Sequence, residues 1–208
     1  MSDLVLYRGV ATRSFTALWM LEELGVAYRT ELIDRRPGAA RPEPYLRLNP
    51  TGEVPTLTDG EAVVRETPAI CLYLGDRHGY GTLAPRIEDP RRGDYLSWMV
   101  WSTAALDPAR ATAGVTLPLK PGGWGAGWRP LLEAMRILAE ALAHGPYLLG
   151  ETFTAADIMV GATLAMGRHT GEIPADPVLD AYVQRLEARP ANQRAGALNW
   201  PPDLFPPA

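Results

Sequence analysis

Every strand-like run in this chain of 208 residues lies before residue 66, and that asymmetry limits the possible folds more than any other feature. Leu4-Val5-Leu6-Tyr7 is a short apolar run of strand length, and a loop from Arg8 to Thr12 follows it. From Ser14 to Leu24 the spacing turns helical: Phe15, Leu18, Trp19, Leu21 and Leu24 crowd one side, with Glu22 and Glu23 off it. Gly25 is placed to end that helix with a left-handed residue. Val26 to Ile33 reads as a second strand, and strand-helix-strand implies a parallel pair with a right-handed crossover. Asp34 to Pro44, rich in Arg, Pro and Gly, reads as irregular. Pro55 to Thr58 and Glu61 to Arg65 are strand-like, and Asp59-Gly60 between them is a two-residue hairpin signal. Thr67 reads as a helix N-cap with Pro68 at the first helical position, where a missing N–H costs nothing. That helix runs through Ile70, Leu72, Tyr73 and Leu74 to about His78, and Gly79 ends it. The product is a small four-stranded mixed sheet covered by helices.

Beyond it the strand signals stop. Tyr80 to Arg92 carries turn residues without a clear period and reads as a linker. Arg91 to about Arg110 is helical, with Tyr95, Trp98, Met99 and Ser102 at i, i+3, i+4, i+7 spacing. Pro118 to Gly127 reads as a flexible loop, and Trp128 to Ala143 as an amphipathic helix. Thr154 begins another helix. Thr154 with Asp157 forms a capping box, and Phe153 with Ile158 a hydrophobic staple, so this segment is assigned to folding and not to chemistry. Pro177 to Ala188 is a further helix. The expected fold class is therefore α/β followed by all-α. The expected boundaries are residues 1–81 for the sheet domain, 82–90 for the linker and 91–208 for the helical domain.

Composition excludes several functions. Net charge is -4, and Arg35-Arg36 and Arg91-Arg92 are isolated pairs, so nothing draws the chain to nucleic acid. The single cysteine, Cys71, allows no internal disulfide and lies on the apolar side of its helix, where it reads as core. No signal-peptide pattern opens the sequence, and no apolar run approaches the roughly 18–20 residues of a membrane span. A cytoplasmic protein is the simplest expectation. His78, His144 and His169 are far apart without metal-ligand spacing, so no metal is expected. The glycines of 122–127 lack the preceding strand and the Lys-Ser/Thr ending of a phosphate loop.

Two short segments carry candidate chemistry. In Asn49-Pro50-Thr51-Gly52-Glu53-Val54-Pro55-Thr56-Leu57, a cis Val54-Pro55 bond would turn the Val54 N–H and C=O outward. Outward backbone groups can pair with an extended peptide. The alternative is an ordinary strand start with trans proline. Beyond the hairpin, Glu66-Thr67-Pro68 opens a helix, whose free N–H groups and partial positive charge suit a carboxylate. The Thr67 hydroxyl can bond that carboxylate, and Glu66 can pair with an ammonium group.

The pattern Asn-Pro-x-Gly-x-Val-Pro-x-Leu, a hairpin, then Glu-Thr-x-Ala-Ile-x-x-Tyr-Leu resembles glutathione transferases. The segment Gly145 to Ile158 resembles the signature of that family's helical domain, so the likeness spans nearly the whole chain. It implies a thioredoxin-like N-terminal domain, glutathione as co-substrate and a homodimer. Carried over, Val54 before cis-Pro55 holds the cysteinyl part of glutathione, and Glu66 and Thr67 hold the γ-glutamyl end. Two departures stand out: Glu53 where the family often has Lys, and Thr67 where it usually has Ser.

Thr12-Arg13-Ser14 and the Trp19-Met20-Leu21-Glu22-Glu23-Leu24-Gly25 stretch resemble bacterial members with a Ser-Arg-Ser start before the first helix. The resemblance implies a hydroxyl here that donates to the glutathione sulfur. Only the thiolate is nucleophilic, and a free thiol has pKa about 8.5. A hydrogen bond to a charged group contributes about 1.5–3 kcal/mol, which lowers that pKa by roughly one to two units. Thr12 is taken as the activator and Ser14 as the next choice, since Ser14 is also the natural N-cap. Arg13 either helps with the anionic charge of glutathione or is simply exposed, and Tyr7 is expected to be structural.

The family implies an electrophile pocket lined from the first helix of the second domain, with Tyr95, Trp98, Met99, Ser102 and Thr103 as candidates. Trp124, Trp128 and Trp200 are candidates to cover it. The leading expectation is a glutathione S-transferase acting on an apolar electrophile. The runner-up is a glutathione-dependent disulfide reductase or peroxidase on the same fold. A third is a non-catalytic binding module, against which the retained Thr12, Val54 and Glu66-Thr67 set argues.

Overall fold

A computed structural model describes residues 3–115 and 129–201 of the chain. The expected 118–127 loop, with Trp124 and Trp128, lies outside the described residues. The fold divides into two compact units. One holds the residues up to Tyr80 together with those from Ala188 onward, and the other runs from Gly81 to Glu187.

The first unit is built on a four-stranded sheet in the order β2-β1-β3-β4. Strand β1 (Leu4–Arg8) pairs in parallel with β2 (Arg29–Leu32) and antiparallel with β3 (Thr56–Asp59), which pairs antiparallel with β4 (Ala62–Arg65). The register Asp59↔Ala62 closes the hairpin around Asp59-Gly60, and Gly60 takes the positive φ that such a turn requires. Helix α1 (Ser14–Leu24) ends at Gly25 with φ 63, as its sequence predicts. Its residues from Ser14 to Leu21 are all buried, because β1, α3 (Thr67–His78) and α9 (Pro190–Asn199) each pack against it. A short α2 (Glu43–Leu48), unanticipated in its Pro-rich surroundings, brings Tyr45 into the core.

Two helix starts differ from expectation. Thr67 is the first residue of α3 and not its cap; Glu66 occupies the cap position at φ 67, without a side-chain cap bond. Ser14 likewise begins α1, and Arg13 precedes it without a cap bond. Both hydroxyls are therefore released from the local role that residue type alone assigned to them.

The second unit is helical throughout its described residues, apart from two isolated bridges in 147–152. Helix α4 (Arg92–Trp101) passes through one π-helical turn, Ser102–Leu106, into α5 (Asp107–Ala111). Pro108 explains the wide turn, since it lacks the N–H that would continue an α-helical ladder there. Helix α6 (Leu131–Ala141) packs on α8 (Pro177–Glu187), and α7 (Ala155–His169) packs on both α4 and α8. The capping box of Thr154 and Asp157 forms at the start of α7.

The boundaries drawn from the sequence shift in two places. Residues 82–90 join the helical unit: Leu83 and Ala84 are buried, and the Leu83 carbonyl accepts the Ala155 N–H at 2.9 Å. At the other end, α9 leaves the helical unit and packs on α1. Arg189 clasps Glu23 through two bonds of 2.6 and 2.8 Å, and Arg194 pairs with Glu22 at 2.6 Å.

Candidate functional site

The loop from Arg8 to Arg13 joins β1 to α1, and Gly9 is its crowded centre. A Cβ added to Gly9 would lie 2.8 Å from Arg35 Cγ, 2.9 Å from Thr12 Cγ2 and 3.2 Å from Val54 Cγ2. Only glycine leaves room there, so three side chains from three separate segments converge on one point. Two of them, Thr12 and Val54, were singled out from sequence. Gly9 and Arg35 were not, because their proximity depends on segments far apart in the chain.

The two hydroxyls of the loop differ in access. Ser14 is completely buried, and its Oγ accepts the Gly9 N–H at 3.1 Å. Thr12 is half-buried. Its Oγ1 lies 2.8 Å from Ser14 Oγ and 3.0 Å from the Gly9 carbonyl, and it accepts the Ser14 N–H at 3.2 Å. A hydroxyl has one hydrogen, so Thr12 donates to one internal acceptor at a time. Arg13 is exposed.

The Val54-Pro55 peptide is cis. Val54 makes no backbone hydrogen bond among the described residues, which leaves its N–H and C=O available to an extended chain. The residue before it is tied down. Asn49 Nδ2 donates to the Glu53 carbonyl at 2.9 Å and to Thr56 Oγ1 at 3.0 Å, and the Tyr45 hydroxyl donates to that same carbonyl. Asn49 and Thr56 are both buried. The Asn-Pro-x-Gly portion of the motif thus holds the Val54 corner in place. Tyr7 packs its ring on Tyr45, with centroids 5.5 Å apart.

Glu53, where a cation was expected, carries its own. Arg35 Nη2 lies 2.6 Å from the Glu53 carboxylate, and Arg35 Nη1 donates to the Gly52 carbonyl at 3.1 Å. At the start of α3, Glu66 is exposed, and its carboxylate has no ion pair or hydrogen bond among the described residues. Thr67 is buried, and its hydroxyl makes no bond among them. Both stand at the N-terminal end of a 12-residue helix, where the backbone N–H groups and helix dipole favour an anion.

The residues proposed for the electrophile separate. Tyr95, Met99 and Ser102 have no exposed surface, and the Ser102 hydroxyl is turned back on the Met99 carbonyl at 3.1 Å. This is a correction to their expected place in an open pocket: helical spacing of aromatic and apolar residues has produced core. Trp98 stays half-buried, edge-on to Trp101 with centroids 5.2 Å apart. Thr103 is also half-buried. Trp200 packs against Phe15 with the rings tilted and their centroids 5.0 Å apart. Burial pushes the Cys71 thiol up to about 12, so the one cysteine is inert. No group of side chains fit to hold a metal ion occurs among the described residues.

Known proteins resemble this chain in both halves. The glutathione S-transferase N-terminal domain family matches residues 13–77, and the C-terminal domain family matches residues 109–185. A glutathione S-transferase of Arabidopsis thaliana is 30% identical, over 91% of this chain and 81% of its own. A disulfide-bond oxidoreductase of Escherichia coli is 29% identical, over 84% of this chain and 86% of its own. The crystal structure of a theta-class glutathione S-transferase from Xanthomonas axonopodis pv. citri with glutathione bound superposes with a TM-score of 0.71. It is 31% identical and covers 94% of this chain and 97% of that one. With its thioredoxin-like sheet unit, its helical unit and these matches in both halves, the chain belongs to the glutathione S-transferase family.

Proposed function

We propose that this glutathione transferase activates the thiol of glutathione through the Thr12 hydroxyl and adds the thiolate to a small apolar electrophile. The observation that carries the choice is access. Thr12 is the hydroxyl of the loop with open surface, whereas Ser14 is buried behind it. Thr12 gives up an internal acceptor to serve the sulfur. A neutral hydrogen bond contributes about 0.5–1.5 kcal/mol net and one to a charged group about 1.5–3, so the exchange favours the thiolate. The Ser14 N–H remains on Thr12 Oγ1 and polarises the hydroxyl further. The reaction then needs no more than this hydroxyl: the sulfur attacks the electrophilic carbon, a bond to the leaving group breaks, and the thiol proton goes to solvent.

In this reading glutathione lies extended along Val54, with its cysteinyl N–H and C=O paired to the Val54 backbone. Its γ-glutamyl carboxylate sits at the N-terminus of α3 under the Thr67 hydroxyl, and its ammonium meets Glu66. Arg35, held beside Val54 by Glu53, supplies the cation for the glycyl carboxylate. Pro55 sets the corner, and Arg13 adds positive charge at its rim. Of the five candidate residues of the second unit, Trp98 and Thr103 are kept, because they retain accessible surface. The protein works as a homodimer in the cytoplasm. The dimer is supported by Leu96 and Val100, exposed one turn apart on α4, and the location fits a chain whose single cysteine is buried and free.

The Escherichia coli relative named a disulfide-bond oxidoreductase favours a second reading, reduction of small disulfides by the same Thr12-activated thiolate. Two assays separate the readings: conjugation of chlorodinitrobenzene and reduction of a small disulfide, both dependent on glutathione. The proposal predicts retention on immobilised glutathione, a melting temperature raised by glutathione, and conjugation faster than reduction. Absence of all three would contradict it.

A further inference from the structure

The loop that carries Thr12 is held from an unexpected direction. Helix α9 ends at Asn199, and the carbonyls of a last helical turn have no partner inside the helix. Here the Arg8–Thr12 loop supplies the partners. The Leu198 carbonyl accepts from the Arg8 guanidinium at 3.0 Å, and the Asn199 carbonyl accepts the Ala11 N–H at 2.8 Å. A cation at that helix end also suits the dipole. The Asn199 side chain then reaches one residue further and donates from Nδ2 to the Thr12 carbonyl at 3.2 Å. Asn199 is completely buried, whereas Ala11 on the loop side is exposed and Thr12 half-buried.

The held segment needs holding. Ala11 has φ 51, a left-handed conformation that non-glycine residues adopt at a cost of about 1 kcal/mol or more. The bonds from Asn199 fall on Ala11 and on Thr12 itself. The clasp is anchored in turn, because α9 is bound to α1 by Arg189–Glu23 and Arg194–Glu22 two to three turns away from the loop. Helix, loop and α1 therefore form one braced unit around the Thr12 backbone.

We infer that Asn199 is a positioning residue for the Thr12 hydroxyl, fixing through the Thr12 carbonyl the direction in which that hydroxyl meets the glutathione sulfur; this rests on Thr12 being the thiol-activating group. Removing the Nδ2 donor leaves the Thr12 carbonyl with the Phe15 N–H, cuts the side-chain tie between the loop and α9, and frees the loop to relax. The hydroxyl then spends less time aimed at the sulfur, and the thiolate loses its support. Glutathione binding at Val54 and at the start of α3 uses other segments and is left in place.

The test compares Asn199→Ala, the space-filling Asn199→Leu, Thr12→Ala and the Asn199→Ala/Thr12→Ala double variant in the full chain. For each, kcat and KM for glutathione are measured across pH with chlorodinitrobenzene, together with the melting temperature. Asn199→Ala and Asn199→Leu should lower kcat near neutral pH roughly ten-fold and raise the pKa of the rate profile by about one unit, with KM for glutathione within about two-fold. In the Thr12→Ala background, adding Asn199→Ala should change little, since both act on one group. The assignment is overturned if Thr12→Ala moves the profile and the Asn199 variants do not, if their loss persists undiminished in the Thr12→Ala background, or if neither Asn199 variant folds. If Thr12→Ala itself leaves the profile in place, the thiol-activation reading falls and takes this inference with it.

Discussion

A threonine stands close before two helices of this protein, Thr154 directly before α7 and Thr12 two residues before α1, and the two differ in what surrounds them. At the start of α7 the Thr154–Asp157 corner is buried, and every carboxylate oxygen is occupied. Asp157 Oδ1 accepts from the Leu148 N–H and the Tyr182 hydroxyl, both at 2.9 Å. Its Oδ2 accepts from the Thr154 N–H at 2.8 Å and the Thr154 hydroxyl at 3.3 Å. At the start of α1 there is no side-chain cap, and Thr12 keeps open surface and a hydrogen it can redirect. A threonine thus closes a core in one unit and keeps open surface in the other. What separates them is access: both threonine oxygens accept a backbone N–H of the helix they precede, but Thr154 is buried and Thr12 keeps open surface.

That contrast can be broken from either side. The largest effect is expected at α7. Asp157→Ala strips four buried donors of their acceptor and should cost on the order of 4 kcal/mol of stability, lowering the melting temperature by about 10 °C, while glutathione turnover per folded molecule is unchanged. Urea unfolding with activity normalised to folded protein measures both.

The next effect is a pH dependence from the same residue. Burial pushes the Asp157 carboxyl up to about 6 from an ordinary value of 3.8, although the four donors oppose the rise. Between those values the native state holds a proton that the unfolded chain has lost. The stabilising contribution is therefore full below about pH 4 and is lost as pH rises through about 6, a change on the order of 3 kcal/mol. Denaturation from pH 4 to 7 should show this loss in the wild type and not in Asp157→Asn.

At α1 the signs reverse. Thr12→Ala should leave the melting temperature within about 2 °C but reduce kcat/KM roughly 30-fold, a cost of about 2 kcal/mol, whereas Thr12→Ser retains most of the rate. Gly9→Ala should fall about ten-fold in kcat/KM with a smaller loss of stability, because its Cβ displaces Thr12, Val54 and Arg35 together. Steady-state kinetics and thermal melts of the two variants check these outcomes.

The parts of the molecule legible in sequence are those whose determinants lie close together in the chain. The α1 span and its Gly25 stop, the hairpin at Asp59-Gly60 and the Thr154–Asp157 box each depend on residues within about one element of each other. The start residues of α1 and α3 were misread for the complementary reason. Ser14 and Thr67 have cap chemistry, but Ser14 turns its oxygen to the Gly9 N–H, and the Thr67 oxygen stays off its own helix. No local pattern encodes that choice. Arg35 had a weak signal, since an acidic Glu53 calls for a nearby compensating cation. Asn199 had none. Its helix is short and barely amphipathic, and its partners Ala11 and Thr12 stand at the other end of the chain. Likewise Tyr95, Met99 and Ser102 keep the spacing of a lined face whether that face meets a pocket or a core.

The central claim is that the Thr12 hydroxyl lowers the pKa of bound glutathione. Ultraviolet titration of the thiolate in the binary complex measures this without any second substrate. The wild-type complex should titrate one to two units below the free thiol value of about 8.5, and Thr12→Ala should return it close to that value with glutathione still bound. A Thr12→Ala complex that titrates with the wild type would contradict the claim.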